Sequence, residues 1–422
     1  MSDITKNLDQ FDDKDVVFVG VRKGRSFSGF KSFLEQHARP RSIVGVNKQP
    51  GEEPLNFLLD YDSKTTVFVK NEGVPGDLMP VPFISPTQLF FEAIKGRGAT
   101  VIGVTGTKGK TTTTSLIGAI LKAAGKKVIV AGNIGDSVFN HVDEIDGETL
   151  LVLELSSHQL ADLHQSPNIG VITNLYEDHL DYYGTLEAYW EAKHSIVRFM
   201  TSDDHLIYNA DFPLVKKWVD DSACTPHPLD KGKPIDMSHT GLIGDHNRLN
   251  ALMAREVARL CGVDDEISQK AIDSFAPVKH RLQPVKTVAG KIFIDDAIAS
   301  QPEAAIAGIK AVAESVGPIG CLLLGGQDRG YDFSELMKTA ADNHIPCLVL
   351  FPDTVEAMKK AMPSGYSPQS LETSDMAEAV RWAFDNTPDK SVIMLSNGAP
   401  SYSIWKDFEE KGDLFQQAVN SL

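Results

Sequence analysis

The stretch Gly106-Thr107-Lys108-Gly109-Lys110-Thr111-Thr112 carries the most specific chemistry in the sequence. It follows a strand-like run that starts at Ala99, and it opens a helical pattern that we read over Ser115 to Ala124. Small residues there let backbone N–H groups curl around phosphate oxygens, and a helix N-terminus adds positive potential. Lys110 can reach the β and γ phosphates of a nucleotide, and the Thr111 hydroxyl can hold Mg²⁺. Gly103 lies one residue further from Gly109 than the GxxxxGK[ST] loop of ordinary NTPases allows. The plain alternative is a Gly-rich turn with no nucleotide. A Lys-Thr pair at a helix start argues against it.

Other acids and polar residues fall where such a loop needs them. Glu154 ends the apolar run Leu151-Val152-Leu153. An acid there costs desolvation unless it is paired or bound to metal, and beside a nucleotide it would bind Mg²⁺. Ile172-Thr173-Asn174 ends a further strand and leads into Glu177-Asp178-His179-Leu180-Asp181. Open α/β sheets place ligands at such strand ends. His179 taken alone would be a solvated loop histidine, and Lys193 taken alone a solvated surface lysine.

These residues need rigid elements to hold them. Short β-branched runs alternate with helical patterns along most of the chain: 16–20, 42–46, 65–69, 127–131, 149–155 and 170–173, then 292–294, 320–324, 347–351 and 392–395. That rhythm means α/β architecture with parallel sheets and crossover helices. A length of 422 residues suits two or three cores. Two breaks, Lys95-Gly96-Arg97-Gly98 and Phe275-Ala276-Pro277-Val278-Lys279, divide the chain into domains 1–97, 98–278 and 279–422. The first and third are expected to be Rossmann-like. The central one is expected to be a P-loop ATPase-like parallel sheet.

The totals exclude several classes. A formal net charge of -16 argues against a general nucleic-acid binder, which needs a basic face. Cys224, Cys261, Cys321 and Cys347 are scattered with no metal-like spacing and read as thiols in a reducing cytosol. The polar, acidic start is no signal peptide, and no apolar run is long enough to span a membrane. The expectation is a cytoplasmic protein with no nucleic-acid or membrane partner.

The loop Gly-Thr-x-Gly-Lys-Thr-Thr resembles that of the Mur ligase and folylpolyglutamate synthetase superfamily, and further matches follow in order. Tyr189-Trp190-Glu191-Ala192-Lys193 is similar to the family helix whose lysine is carbamylated by CO₂. By this resemblance Lys193, as a carbamate, would hold one of two Mg²⁺ ions with His179, and Thr111 and Glu154 would be the remaining metal ligands. Lys110, Glu154, His179 and Lys193 would be the catalytic set. Gly132-Asn133-Ile134-Gly135 looks like a loop contacting a UDP-sugar, with Asn133 as its contact. Leu155-Ser156-Ser157-His158-Gln159-Leu160 looks like the segment of glutamate-adding members, with Ser156 and Gln159 touching the acceptor.

In Gly244-Asp245-His246-Asn247-Arg248-Leu249-Asn250, the amides of Asn247 and Asn250 lie at i, i+3 and suit adenine. Arg281, after His280, would reach the ATP phosphates, and Asp296 would hold the ribose. Ser300, Arg329, Ser401 and Phe408 would bind the incoming amino acid. The resemblance implies a monomeric ATP-dependent acid–amino-acid ligase of peptidoglycan precursor synthesis. It would add glutamate, D-glutamate first, to UDP-N-acetylmuramoyl-L-alanine through an acyl phosphate. The N-terminal domain favours a UDP-sugar acceptor over a folate. The alternatives are a related ligase for L-glutamate or another amino acid, and a non-catalytic ATP-binding regulator.

Several positions depart from the family pattern. Ile298 stands where the family has lysine, Arg329 where glutamate-adding members have lysine, and Ser396-Asn397-Gly398-Ala399-Pro400-Ser401 replaces the usual Ser-Pro-Ala-Cys-Ala-Ser. All three fall where the amino acid would be selected. The loop Gly20-Val21-Arg22-Lys23-Gly24-Arg25-Ser26 is more basic than the usual turn, and Asn47 replaces an acid that often meets uridine.

Overall fold

A computed structural model describes residues 8–20, 25–47, 55–133, 137–240, 242, 244–276, 279–402 and 404–422, without the side chains of Arg25, Ser26, Asp181 and Ser315. The basic stretch 21–24, the Ile134-Gly135 part of the sugar loop and Pro277-Val278 of the second break lie outside the described residues. The chain forms two compact units, one holding the residues up to Ile235 together with Leu249–Ile272, the other holding Asp236–Arg248 and Asp273–Leu422.

The first unit contains two sheets. One is three-stranded and parallel, ordered Ser42–Val46, Asp15–Val19, Thr66–Lys70. The other is six-stranded and wholly parallel, ordered Val128–Gly132, Leu150–Glu154, Thr100–Thr105, Ile169–Ile172, His205–Tyr208, Thr225–Pro228. Parallel strands are covered on both faces, which is why Leu150–Glu154 and Ile169–Ile172 read as continuous apolar runs. Strand order reverses direction around Thr100–Thr105. The loops leaving its end and those of its two neighbours therefore open one crevice.

The second unit carries a six-stranded sheet ordered Gln283–Val288, Lys291–Asp295, Val392–Leu395, Ile319–Gly325, Cys347–Phe351, Gln369–Glu372. Only the Gln283–Val288 edge is antiparallel. The α/β expectation with parallel sheets thus holds throughout. One element starts earlier than its pattern suggested. The helix after the phosphate loop spans Lys110–Ala123 rather than beginning at Ser115, because Gly109, at φ 81°, is its N-cap. Four successive threonines hid that first turn, since β-branched residues weaken a helical signal.

Candidate active site

The phosphate loop is clamped from below by the end of the neighbouring strand. The Thr173 hydroxyl donates to Lys108 O at 2.7 Å, Asn174 Nδ2 donates to Lys108 O at 3.0 Å, and Lys108 N donates to Asn174 Oδ1 at 2.8 Å. Thr107 Oγ1 accepts from Tyr176 N at 2.9 Å and from the Tyr189 hydroxyl at 3.3 Å. Gly106 sits at φ 146°, and a Cβ there would lie 2.0 Å from Thr173 Oγ1. At Gly109 a Cβ would lie 2.7 Å from Asn250 Oδ1, so the amide of Asn250 packs directly on the loop. Both glycines are required by space as well as by conformation.

Lys110 Nζ donates to the carbonyls of Gly106 at 3.1 Å and Thr107 at 2.9 Å, which keeps the ammonium at the mouth of the loop. Lys193 is not the solvated lysine that its sequence context alone suggested; it is 1% exposed. The helix Leu186–Arg198 starts at Thr185, whose hydroxyl accepts from Ala188 N at 3.2 Å. Its Tyr189 and Lys193, one turn apart, both face inward. Lys193 Nζ donates to Gly106 O at 3.0 Å and lies 4.7 Å from the Tyr189 ring centre. Burial, then the positive charge of Lys110, push its ammonium well below the usual lysine range, against a smaller opposing effect of Asp178. Burial likewise pushes the Tyr189 phenol up to about 12.

Glu154 is 2% exposed. Its Oε1 accepts from Asn133 Nδ2 at 3.1 Å, while Oε2 is buried with no hydrogen-bond partner. A buried carboxylate oxygen left in that state needs a cation or a donor, so the residue fits a magnesium ligand beside the loop. His179 is a half-exposed residue at φ 53°, with its ring 5.1 Å from that of His158 and 5.8 Å from that of Tyr189. Among the described residues no three His, Cys, Asp or Glu side chains converge as a metal cluster.

A cleft of about 690 Å³ joins these parts. Lys110, Asn133, Ser156, Gln159, His179 and Lys193 all line it, and Glu154 stands behind Asn133. Thr111 and Thr112 belong to the helix start rather than to the lining. Ser156 and Gln159 have a further duty. They form a capping box on the helix Ser157–Ala161, with Gln159 Oε1 accepting from Ser156 N at 2.9 Å and Ser156 Oγ accepting from Gln159 N at 3.2 Å. Sequence reasoning missed the opposite wall, Asn71-Glu72-Gly73 with Thr87. Its signal was available: a polar turn after the strand Thr66–Lys70, where α/β sheets bind ligands.

The helix Asp245–Leu260 carries Asn247 and Asn250, both buried. In the second unit, Arg281 is partly buried, with an Nε that has no hydrogen-bond partner. Asp296, for which a ribose contact is expected, lies in the second unit. It is buried, with Oδ1 accepting from Leu282 N at 3.1 Å and Oδ2 from the Ser396 hydroxyl at 2.9 Å. Burial pushes its carboxyl up to about 7. It holds its own loops together.

Ser300 is partly buried just before the helix Pro302–Ser315. Ser401 is buried and within 3.2 Å of Asn397 Nδ2. Phe408 opens the helix Phe408–Asn420 and lies 6.3 Å from the His280 ring. Arg329 is exposed, donates from Nε to Gln327 Oε1 at 3.2 Å, and rests 5.9 Å from the Tyr402 ring centre.

Residues 104–233 match the model of the Mur ligase middle domain. A relative from Symbiobacterium thermophilum, a UDP-N-acetylmuramoylalanine–D-glutamate ligase, is 32% identical over 92% of this chain and 90% of its own length. One of the same name from Streptococcus pneumoniae serotype 19F is 30% identical over 99% of both chains. Two solved structures share the fold. They are the MurF ligase of Thermotoga maritima in complex with ADP (TM-score 0.63, 18% identity, 100% of both chains) and the UDP-N-acetylmuramate-alanine ligase of the same organism (TM-score 0.60, 20% identity, 96% of this chain and 99% of that one). The phosphate loop, the buried carboxylate beside it and the matches along nearly the whole sequence have one reading: this chain belongs to the Mur ligase family.

Proposed function

We propose that this chain is the ATP-dependent ligase that joins D-glutamate to UDP-N-acetylmuramoyl-L-alanine in peptidoglycan precursor synthesis. The observation that carries this reading is one cleft lined by Lys110 of the phosphate loop, His179, Lys193 and Asn133, with Glu154 behind it. The shared name of relatives that match 90% or more of the chain supports it. In this reading the domain 1–97 takes the UDP-sugar, 98–278 the ATP and 279–422 the amino acid. The enzyme works as a monomer in the cytoplasm, where its nucleotide substrates are. Among the described residues no helix is long and apolar enough to cross a membrane.

The γ-phosphoryl group of ATP moves to the alanyl carboxylate. A carboxylate oxygen forms the new P–O bond as the bond to ADP breaks. The amine of glutamate then attacks the acyl carbon, its proton is removed, and phosphate leaves. Lys110 and the backbone N–H groups of Gly106–Thr112 hold the phosphates and stabilise the charge that builds up during transfer. Asn250, packed on Gly109, and Asn247 would hold the adenine, and Arg281 is the phosphate contact that the resemblance implies. Ser156 and Gln159, fixed by their capping box, and Asn133 orient the acceptor. Ser300, Arg329, Ser401 and Phe408 hold glutamate.

Two Mg²⁺ ions, held by Thr111, Glu154, His179 and a carbamylated Lys193, would neutralise the transferring phosphoryl oxygens. Carbamylation requires a neutral amine, and the burial of Lys193 beside Lys110 shifts the balance toward that form.

The test is a panel of D- and L-amino acids offered with ATP, Mg²⁺ and UDP-N-acetylmuramoyl-L-alanine, with phosphate release and product mass as readouts. Phosphate release that requires both acceptor and D-glutamate is expected. ATP hydrolysis indifferent to both overturns the ligase reading. Preference for another amino acid overturns only its last term, and would point to Ile298, Arg329 and Asn397 as the cause.

A further inference from the structure

Glu72 follows the strand Thr66–Lys70 and lines the cleft that Lys110, His179 and Lys193 also line. Its carboxyl has a neutral donor: the Thr87 hydroxyl donates to Oε1 at 2.9 Å. Its main-chain carbonyl accepts from the Tyr182 hydroxyl at 3.2 Å, which fixes the residue to the wall. The cation on its own strand is committed elsewhere. Lys70 Nζ donates to Val74 O at 2.8 Å, pairs with Asp162 Oδ2 at 2.6 Å and lies 5.2 Å from the Phe83 ring centre.

The charged and titratable groups around this wall are Lys70 on its strand, Asp162 at the end of the helix Ser157–Ala161, and Tyr182 on Leu180–Tyr183 with Asp77 beyond it. On the cleft surface are His158, His179, Lys110 and Lys193. Burial raises the Glu72 carboxyl above the usual range and Asp162 adds to this, while its own backbone, Thr87 and Lys70 oppose the shift.

The acceptor proposed above carries a diphosphate and a carboxylate. An ionised carboxyl in this wall would repel such a ligand, whereas a protonated one repels nothing and can donate a hydrogen bond. We propose that Glu72 couples acceptor binding to proton uptake: the carboxyl takes up one proton as the anionic acceptor enters the cleft. The free enzyme then binds the acceptor more weakly as pH rises, because the proton must be drawn from a more dilute supply. This inference rests on the acceptor assignment made under the proposed function.

The experiment is calorimetric titration of the full chain with UDP-N-acetylmuramoyl-L-alanine, without nucleotide, in buffers of different ionisation enthalpy. For the unmodified protein the expected result is net proton uptake on binding, and a Kd that rises with pH by up to about tenfold per unit. Glu72→Gln should bind with no net proton uptake and a flat pH profile. Thr87→Val, which removes a bond favouring the ionised form, should move the uptake window to higher pH. That shift is a result that mere damage to the wall would not give. Binding without proton uptake, or the same uptake in Glu72→Gln, overturns the inference alone. No acceptor binding by the unmodified protein overturns the acceptor assignment and this inference with it.

Discussion

The amine nitrogen of Lys193 lies 3.0 Å from the carbonyl oxygen of Gly106, so a lysine on one helix is fastened to the first glycine of the phosphate loop. A charged ammonium buried there beside Lys110 is disfavoured, which favours the neutral amine at the cleft wall. Turnover should therefore depend on dissolved CO₂. Activity is expected to fall in CO₂-depleted buffer and to return with bicarbonate, and ¹³CO₂ should give a carbamate signal in NMR. Lys193→Ala should lose that signal and about 10²–10³-fold in turnover, while keeping ATP affinity. A full-strength signal in the variant would place the carbamate elsewhere.

Gly106→Ala tests the loop itself. The added carbon meets Thr173 Oγ1 at 2.0 Å in a backbone conformation that only glycine adopts readily. A loss of about 1–3 kcal/mol in stability is expected, together with loss of nucleotide binding. Thermal unfolding and ADP titration read the two effects separately. Retention of both would mean that the loop can take another shape.

Glu154→Gln keeps the shape and the bond to Asn133 while removing the charge whose second oxygen has no partner. The expected outcome is a weakened Mn²⁺ signal in EPR titrations with ATP and a fall in turnover of about 10²-fold or more, with folding unchanged. Unaltered metal affinity would remove Glu154 from the metal site.

Asp296 gives a pH dependence of stability. Its folded carboxyl sits at about 7, against roughly 3.9 for an unfolded aspartate. A raised value means that the folded state holds the proton more tightly. The contribution is full below the unfolded value and is lost as pH rises through about 7. Relative to Asp296→Asn, the unmodified protein should lose up to about 4 kcal/mol between pH of roughly 4 and 8. Urea midpoints for both proteins across that range check the slope. A constant difference would show that Asp296 titrates normally.

The sequence by itself determined the phosphate loop, the alternation of strands and helices, and the family. Each is local, depending on residue types within a few positions of one another. Gly106, Gly109, Lys110 and the apolar strand ending at Glu154 stand out by residue type and order alone. Burial depends on what packs from elsewhere in the chain, and only the tertiary structure decided it. Lys193 has the composition of a surface residue, yet the loop and Tyr189 enclose it. Asp296 sits in a motif that suggests a ligand contact, and only the fold shows it buried with bonds from Leu282 and Ser396. Glu72 draws no notice in a row of polar residues until the helix bearing Thr87 and the tyrosine at 182 close around it.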